Sequence, residues 1–412
     1  MDLAARLGAL QERQFRLFFI GQSTSLLGDG MVAVALSFAI LDLTGSVSDL
    51  GFVFAARSIP LIGFLLVGGV FADRLSRRAV MLGADVIRLG GQGLTAALLI
   101  SGEARLWQLI VLASVNGGAT AFFNPALTGL TPAIVSPGRL QQANVLRGIS
   151  MAAGGIAGPA ISGALVATIG SGYALAVDAA TFGVSALFLA RLELPPHQRL
   201  PAQSFIRDLL DGWHEVRSRT WLWLGVLAAS VANMMSAPFF VLGAAISKTS
   251  LGGPGAWALI LSAFSAGSFV GGLIALRIRP RRPFFASFLG YLPFGLPSAL
   301  LALHAPAIGV AAAGCVAGAG LMIGNAIWET TLQQQIPAQS LSRVTAYDWF
   351  GSLAFQPIGY AIVGPIALTI GSRPTLWAAF AIITLVNGAA LSTRSIRSVR
   401  ARPPELEDVR AP

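Results

Sequence analysis

Apolar stretches of roughly twenty residues recur along the chain, separated by glycine, proline or clustered charge. At about 1.5 Å per residue, ~20 apolar residues in a helix cross the ~30 Å of a bilayer's hydrocarbon. Reading between the breakers predicts twelve spans. The first six fall near 17–41, 50–72, 80–101, 107–130, 141–169 and 173–191. The second six fall near 220–245, 257–276, 284–303, 307–332, 341–370 and 375–393. Between them, residues 192–219 form the longest polar stretch, and "RDLLDGWHEVRSRT" within it sets acids and bases at helical spacing. That pattern suits an amphipathic helix on the membrane surface. The predicted organisation is a six-helix unit over 1–191, a cytoplasmic linker over 192–219, and a six-helix unit with a basic cytoplasmic tail over 220–412.

The two units repeat one another. "GGVFADRL" at 68–75 returns as "GGLIALRI" at 271–278, an offset of 203. At an offset of 201, Gly158, Gly163 and Gly170 return as Gly359, Gly364 and Gly371. Two blocks with matching offsets imply six spans duplicated in parallel order. The fold expected is an all-α polytopic membrane protein of twelve transmembrane helices in two pseudo-symmetric six-helix lobes, with a binding site between the lobes near mid-bilayer.

Composition removes the alternatives. Charged residues make up 11% of the chain and hydrophobic residues 55%, against about 25% charged in a soluble domain. The ~10-residue alternating segments of a transmembrane β-barrel are absent. Cys315 is the single cysteine, and His197, His214 and His304 form no ligand cluster, so no metal and no cofactor is expected. No Gly-x-x-x-x-Gly-Lys-Ser/Thr pattern occurs, which argues against direct ATP drive. The first 16 residues run into an apolar stretch too long for a signal peptide. The net charge of +10 is distributed by side: with the N-terminus inside, 22 basic residues are cytoplasmic, three are external and three lie within spans. The positive-inside rule therefore places both termini in the cytoplasm. The basic excess sets orientation, and no nucleic-acid partner is expected.

"GGVFADRLSRRAV" between spans two and three resembles the signature loop of the major facilitator superfamily, Gly-x-x-x-Asp-Arg/Lys-x-Gly-Arg-Arg/Lys. Gly69, Asp73, Arg74, Arg77 and Arg78 match it, while Ser76 stands where that family has glycine. "GGIAGPAISG" in span five, with Gly154, Gly158, Pro159 and Gly163, is similar to the helix-packing Gly-Pro element of exporters in the family. "LLGDG", "LTGS" and "RSIP" in the first spans look like the bacterial branch of macrolide-efflux proteins and the enterobactin exporter. The resemblance covers about residues 12–393. It implies a transporter in the bacterial inner membrane, not an enzyme, that exports amphipathic small molecules by proton antiport, as a monomer in the lipid bilayer. It also implies that Asp73 pairs with its neighbouring arginine and with the start of span eleven, a latch made only when the cytoplasmic side is closed. Leu276 occupies the equivalent place in the second copy, so one latch is charged and the other is not. Drug/proton antiporters of the family often carry an arginine in span four; Ala113 stands there.

Ionisable groups inside a membrane cost ~2.5–3.5 kcal/mol or more and are functional candidates by default. Asp29 lies about mid-span, on one helical face with the cavity candidates Gln22 and Ser25, a polar stripe that looks into a cavity or onto an element of the other lobe. Arg57 in span two is its expected neighbour, and Glu329 in span ten is a second candidate for proton coupling. The competing reading of Asp29 with Arg57 is a fixed structural ion pair. Asp85 and Arg88 read as a structural i,i+3 pair near the cytoplasmic end of span three, and Asp178 as a shallow residue of span six. Spans one, four, seven and ten line the cavity in the family. Their mid-depth candidates are Asn116, Phe123 and Asn124, then Asn233, Met234 and Phe239, then Asn325 and Trp328. Such aromatic and Met lining suits a bulky, partly apolar ligand. A facilitator or importer without proton antiport is the alternative transport reading. A polytopic membrane enzyme has less support, because no nucleophile elbow or paired catalytic acids occur.

Overall fold

The structure is a computed structural model that describes residues 8–64, 76–194 and 205–400. Helices dominate, and no strand occurs among the described residues, as a chain without water to bond its backbone requires. The first set comprises α1 (Arg13–Thr44), α2 (Val47–Gly63), α3 (Arg77–Ser101), α4 (Leu106–Ile134), α5 (Leu140–Thr168) and α6 (Ser171–Ala190). After α7 (Phe205–Ser218) come α8 (Thr220–Ile246), α9 (Pro254–Ala275), α10 (Pro283–Tyr291), α11 (Leu296–Ala302) and α12 (Ala307–Gln335). The chain ends with α13 (Ala338–Leu353), α14 (Gln356–Ile370), α15 (Ser372–Ser392) and a short α16 (Arg394–Ser398). Two expected spans are broken. A 3-10 turn at Leu292–Gly295, which contains Pro293 and precedes Pro297, divides α10 from α11, and a break before Pro357 divides α13 from α14.

Among the described residues, ten segments are long and apolar enough to cross a membrane. Two expected spans fall outside that set. α2 is 17 residues long and runs into residues beyond those described. α3 has the length, 25 residues, but carries Arg77, Arg78, Asp85 and Arg88.

The repeated glycines make equivalent contacts. A Cβ on Gly158 would stand 2.7 Å from Gly30 Cα on α1, and one on Gly359 would stand 2.3 Å from the Met234 carbonyl on α8. One on Gly163 would meet Ala258 of α9 at 2.5 Å, and one on Gly364 would meet Ser48 of α2 at 2.3 Å. Each pair thus places its first glycine against the opening helix of its own set and its second against the other set. Gly170 and Gly371 precede α6 and α15 with φ of +101° and +90°, a region that disfavours side chains. The span-five motif therefore serves two neighbours: Gly154 and Gly158 bring α5 onto the α1 backbone, while Gly155 and Gly163 bring it onto α9. Pro159 is buried within the same helix.

The apolar clusters differ at the two ends of the bundle. At the end remote from the termini, one cluster joins both sets, with Leu41, Leu50 and Leu109 packed with Leu242, Trp257 and Leu376. Lys248 ties the sets there as well, donating to the Leu41 carbonyl at 2.7 Å and pairing with Asp42 at 2.6 Å. At the end carrying the termini, each set has its own cluster. One holds Ala9, Phe15, Leu130 and Leu192; the other holds Val216, Phe284, Leu332 and Ile396. α7 lies against the second, with Gly212 and Trp213 on Tyr347 of α13.

Candidate functional site

Two polar centres sit inside the helices, one in each set. In the first, Arg88 of α3 is the hub. Its side chain is 3% exposed. It donates to Asp29 Oδ1 of α1 and lies 3.6 Å from Asp85 Oδ1. The guanidinium stacks over Phe182 at 3.8 Å and faces Phe123 at 5.6 Å. A planar guanidinium has enough donors to serve two carboxylates while its face rests on an aromatic ring.

This geometry corrects the expected pairing. Asp29 is partnered by Arg88 rather than by Arg57, which stands close enough to Asp29, Asp178 and Arg88 to feel their charges but makes no salt bridge among the described residues. Arg88 is the twelfth residue of α3, about 16 Å along the helix, which puts it at Asp29's level rather than at the membrane edge. Asp178 is likewise not shallow. It is fully buried, and a Cβ on Gly28 would lie 2.5 Å from its Oδ1, so α6 meets α1 one residue from Asp29. Both oxygens of Asp85 and of Asp178 lack a well-formed hydrogen bond, with Ser185 and Gln92 beside them. Gln22 and Ser25 are buried, and Gln22 Oε1 and Ser25 Oγ also lack partners. Asn116 donates to the Leu112 carbonyl at 3.0 Å and is 3.5 Å from Gln92.

The second centre is a cavity of about 210 Å³ between α8, α10, α12, α13 and α15. Four expected residues, Asn233, Asn325, Trp328 and Glu329, meet there. Asp348 joins them, accepting from Trp328 Nε1 at 3.1 Å. Tyr291 donates its hydroxyl to Asn325 Oδ1 at 2.9 Å, and Asn233 donates to the Ser352 carbonyl at 2.9 Å. Trp349 at the rim is 52% exposed, and Trp328 inside is 7% exposed. The structure does not bring the first-set candidates Gln22, Ser25, Asn116 or Phe123 into this cavity. Nor does it place Phe239 there: Phe239 packs on Trp257 at 5.2 Å in the cluster that closes the remote end. The Met234 carbonyl lies against Gly359.

The signature loop is described only in part. Gly69, Asp73 and Arg74 lie outside the described residues, as does the side chain of Asn124. Arg78 donates to the last carbonyls of α6, Leu189 (3.0 Å) and Ala190, a favourable place for a cation at a helix C-terminus. Ser76, where the family pattern has glycine, caps α3 by accepting from the Ala79 N–H at 3.2 Å. Outside the spans, Glu12 accepts from Ser136 Oγ at 2.6 Å and from its N–H at 3.0 Å. Those bonds, with Arg139 nearby, hold the Glu12 carboxyl below its ordinary value.

The sequence pattern of the Major Facilitator Superfamily matches residues 18–355, and the chain belongs to that superfamily. It is 27% identical over 403 residues to the multidrug efflux pump Tap of Mycobacterium tuberculosis, covering 91% of this chain and 92% of Tap. It is 26% identical over 366 residues to the enterobactin exporter EntS of Citrobacter koseri, covering 85% and 84%. Macrolide efflux protein A of Streptococcus pyogenes is 24% identical over 269 residues, 63% of this chain; the match spans 65% of that protein's length, just under two thirds. The resemblance to the macrolide-efflux and enterobactin-exporter branch therefore holds, and these relatives are transport proteins, not enzymes. Among solved structures, a variant of the nucleoside transporter NupG superposes with a TM-score of 0.77 at 13% identity, covering 92% of this chain and 99% of that one. A bacterial homologue of the lysosomal transporter Spinster, solved inward-facing and unoccupied, gives 0.72 at 12% identity, covering 98% and 100%. At those identities the likeness concerns fold alone.

Proposed function

We propose that this protein is a secondary transporter that exports amphipathic small molecules by alternating access, driven by proton antiport. Its twelve spans form two six-helix lobes, both termini are cytoplasmic, and it works in the bacterial inner membrane as a monomer. The observation that carries the reading is the asymmetry of closure. One apolar cluster crosses both helix sets at the remote end, and two separate clusters sit at the end with the termini. A bundle sealed at one end and divided at the other is one end-state of a rocking transporter, here open toward the cytoplasm. The equivalent contacts of Gly158 with Gly359 and of Gly163 with Gly364 support rocking about a shared axis. The charged outer tie, Lys248 with Asp42, breaks when the remote end opens.

Coupling is assigned to Asp29. It is the third-exposed acid of a centre whose other acids, Asp85 and Asp178, are fully buried. A proton taken up by Asp29 releases Arg88, and Asp85, already 3.6 Å from that guanidinium, receives it. The proton therefore trades one ion pair for another within α3, which turns Arg88 relative to α1. In the opposite state, Asp73 of the signature loop latches the cytoplasmic side.

Everted vesicles energised to an acidic interior test this reading, with a pH-sensitive dye and a panel of macrolides, lipophilic cations and catecholate siderophores. Substrate-evoked proton release from the native chain, abolished in Asp29→Asn, is the expected result. Equal release in both keeps antiport but removes Asp29 from the path, with Glu329 the next position to change. Silence across the panel with native chain present would sink proton-driven export.

A further inference from the structure

Residues 220–392 contain just two acids, Glu329 and Asp348. Both line the one cavity described above. They come from different helices, α12 and α13, and their nearness depends on the fold rather than on sequence spacing. No arginine, lysine or histidine among the described residues lines the cavity. Neither acid makes an ion pair among the described residues, whereas Asp29 and Asp85 in the first set both lie on Arg88. Among the described residues, the two carboxyls of the second centre therefore have no basic counter-group.

The walls are aromatic. Phe288, Tyr291, Trp328 and Trp349 contribute rings, and Phe288 meets Tyr291 edge-on at 5.6 Å and Trp328 edge-on at 6.2 Å. Ring faces attract cations, most strongly when water is excluded. An anionic chamber with aromatic walls favours an organic cation over an anion of the same shape and over its neutral isostere. A 150 Å³ cavity accepts benzene, so about 210 Å³ suits a ring with an alkylated nitrogen. A metal ion is a poor occupant, because no group of three or more His, Cys, Asp or Glu among the described residues is placed to hold one.

We propose that this cavity is a binding subsite for the cationic head of an organic ammonium ligand, a quaternary ammonium or protonated tertiary amine carrying an apolar substituent. Glu329 at the rim and Asp348 inside supply the charge. Trp328 fixes Asp348 through its indole N–H and leaves the other carboxylate oxygen for the ligand. The subsite rests on the export reading for its place in a transport cycle, but binding itself does not.

The test uses the full chain in lipid nanodiscs, with benzyltrimethylammonium as probe, its neutral isostere neopentylbenzene and the anion 3-phenylpropionate. Quenching of tryptophan fluorescence reads occupancy, with empty nanodiscs correcting for partition into lipid. The cation should bind saturably, and the neutral and anionic compounds at least about tenfold more weakly. Glu329→Gln should weaken the cation about tenfold, and Glu329→Gln with Asp348→Asn should remove saturable binding. Asn at 348 keeps an acceptor for the Trp328 N–H, and a thermal unfolding curve confirms that the variants fold. Equal affinity for cation and isostere, native affinity in a folded Glu329→Gln, or no saturable cation binding overturns the proposal. Charge-selective binding without cation-evoked proton release leaves the subsite standing and counts against export. Cation-evoked proton release unaffected by Glu329→Gln counts against the subsite alone.

Discussion

The two helix sets share a backbone plan and differ in what they place at the centre. In the first, Asp29, Asp85 and Asp178 surround Arg88, with Arg57 nearby, and the hub is nearly sealed. In the second, Glu329 and Asp348 face a cavity with no basic residue among the described residues of its walls. The glycine contacts that set helix distances match between the sets, while the polar centres differ. A centre that carries its own counter-charge can change state internally. A centre that lacks one is completed from outside.

Arg88→Met breaks the comparison most severely, since it leaves buried carboxylates without their cation. A loss of about 3–5 kcal/mol is expected, seen as a large fall in the thermal unfolding temperature in detergent. Gly158→Leu and Gly359→Leu probe the shared plan. Each side chain meets the backbone of the opening helix of its own set, and similar losses of at least ~1–3 kcal/mol are expected from both. A large loss from one alone would show that the two contacts are not equivalent. Glu329→Gln sharpens the contrast with Arg88→Met. It removes an acid that has no ion-pair partner among the described residues, so stability should stay within about ±0.5 kcal/mol in the same unfolding assay.

Glu12→Gln is the mildest change. Its folded value is depressed by Ser136, so the carboxylate contributes stability above the ordinary carboxylate range, and that contribution is lost as pH falls through the depressed value. The native chain and Glu12→Gln should therefore differ in unfolding temperature near neutral pH and converge in acid. A gap that persists below the depressed value would assign the difference to packing.

Much of this is legible in the chain. Span positions follow from apolar run length, and the repeat follows from glycines whose offsets match. Azimuth around a helix axis does not follow so readily. Asp85 and Arg88, three residues apart, look complete as a local pair, which hides the longer reach of Arg88 to Asp29. Depth estimates for Asp178 depend on where α6 begins, at Ser171, and a shift of one turn changes its level. Phe239 sits on α8 beside cavity residues in sequence, yet it lies beyond Pro238 and turns to Trp257. The closeness of Glu329 and Asp348 is invisible without the fold, because they lie on separate helices that meet where Trp328 of α12 bonds Asp348 of α13.

Lys248 is the chain's sole lysine, and its amine is held by Asp42 and the Leu41 carbonyl across the sealed end. That makes it a natural reporter. An amine-reactive, membrane-impermeant reagent has a single side-chain target in the whole molecule, and a bound amine reacts more slowly than a free one. Labelling rate at this position thus becomes a clock for how often that end of the bundle parts, readable by mass on the unmodified sequence without introducing a cysteine or a fluorophore.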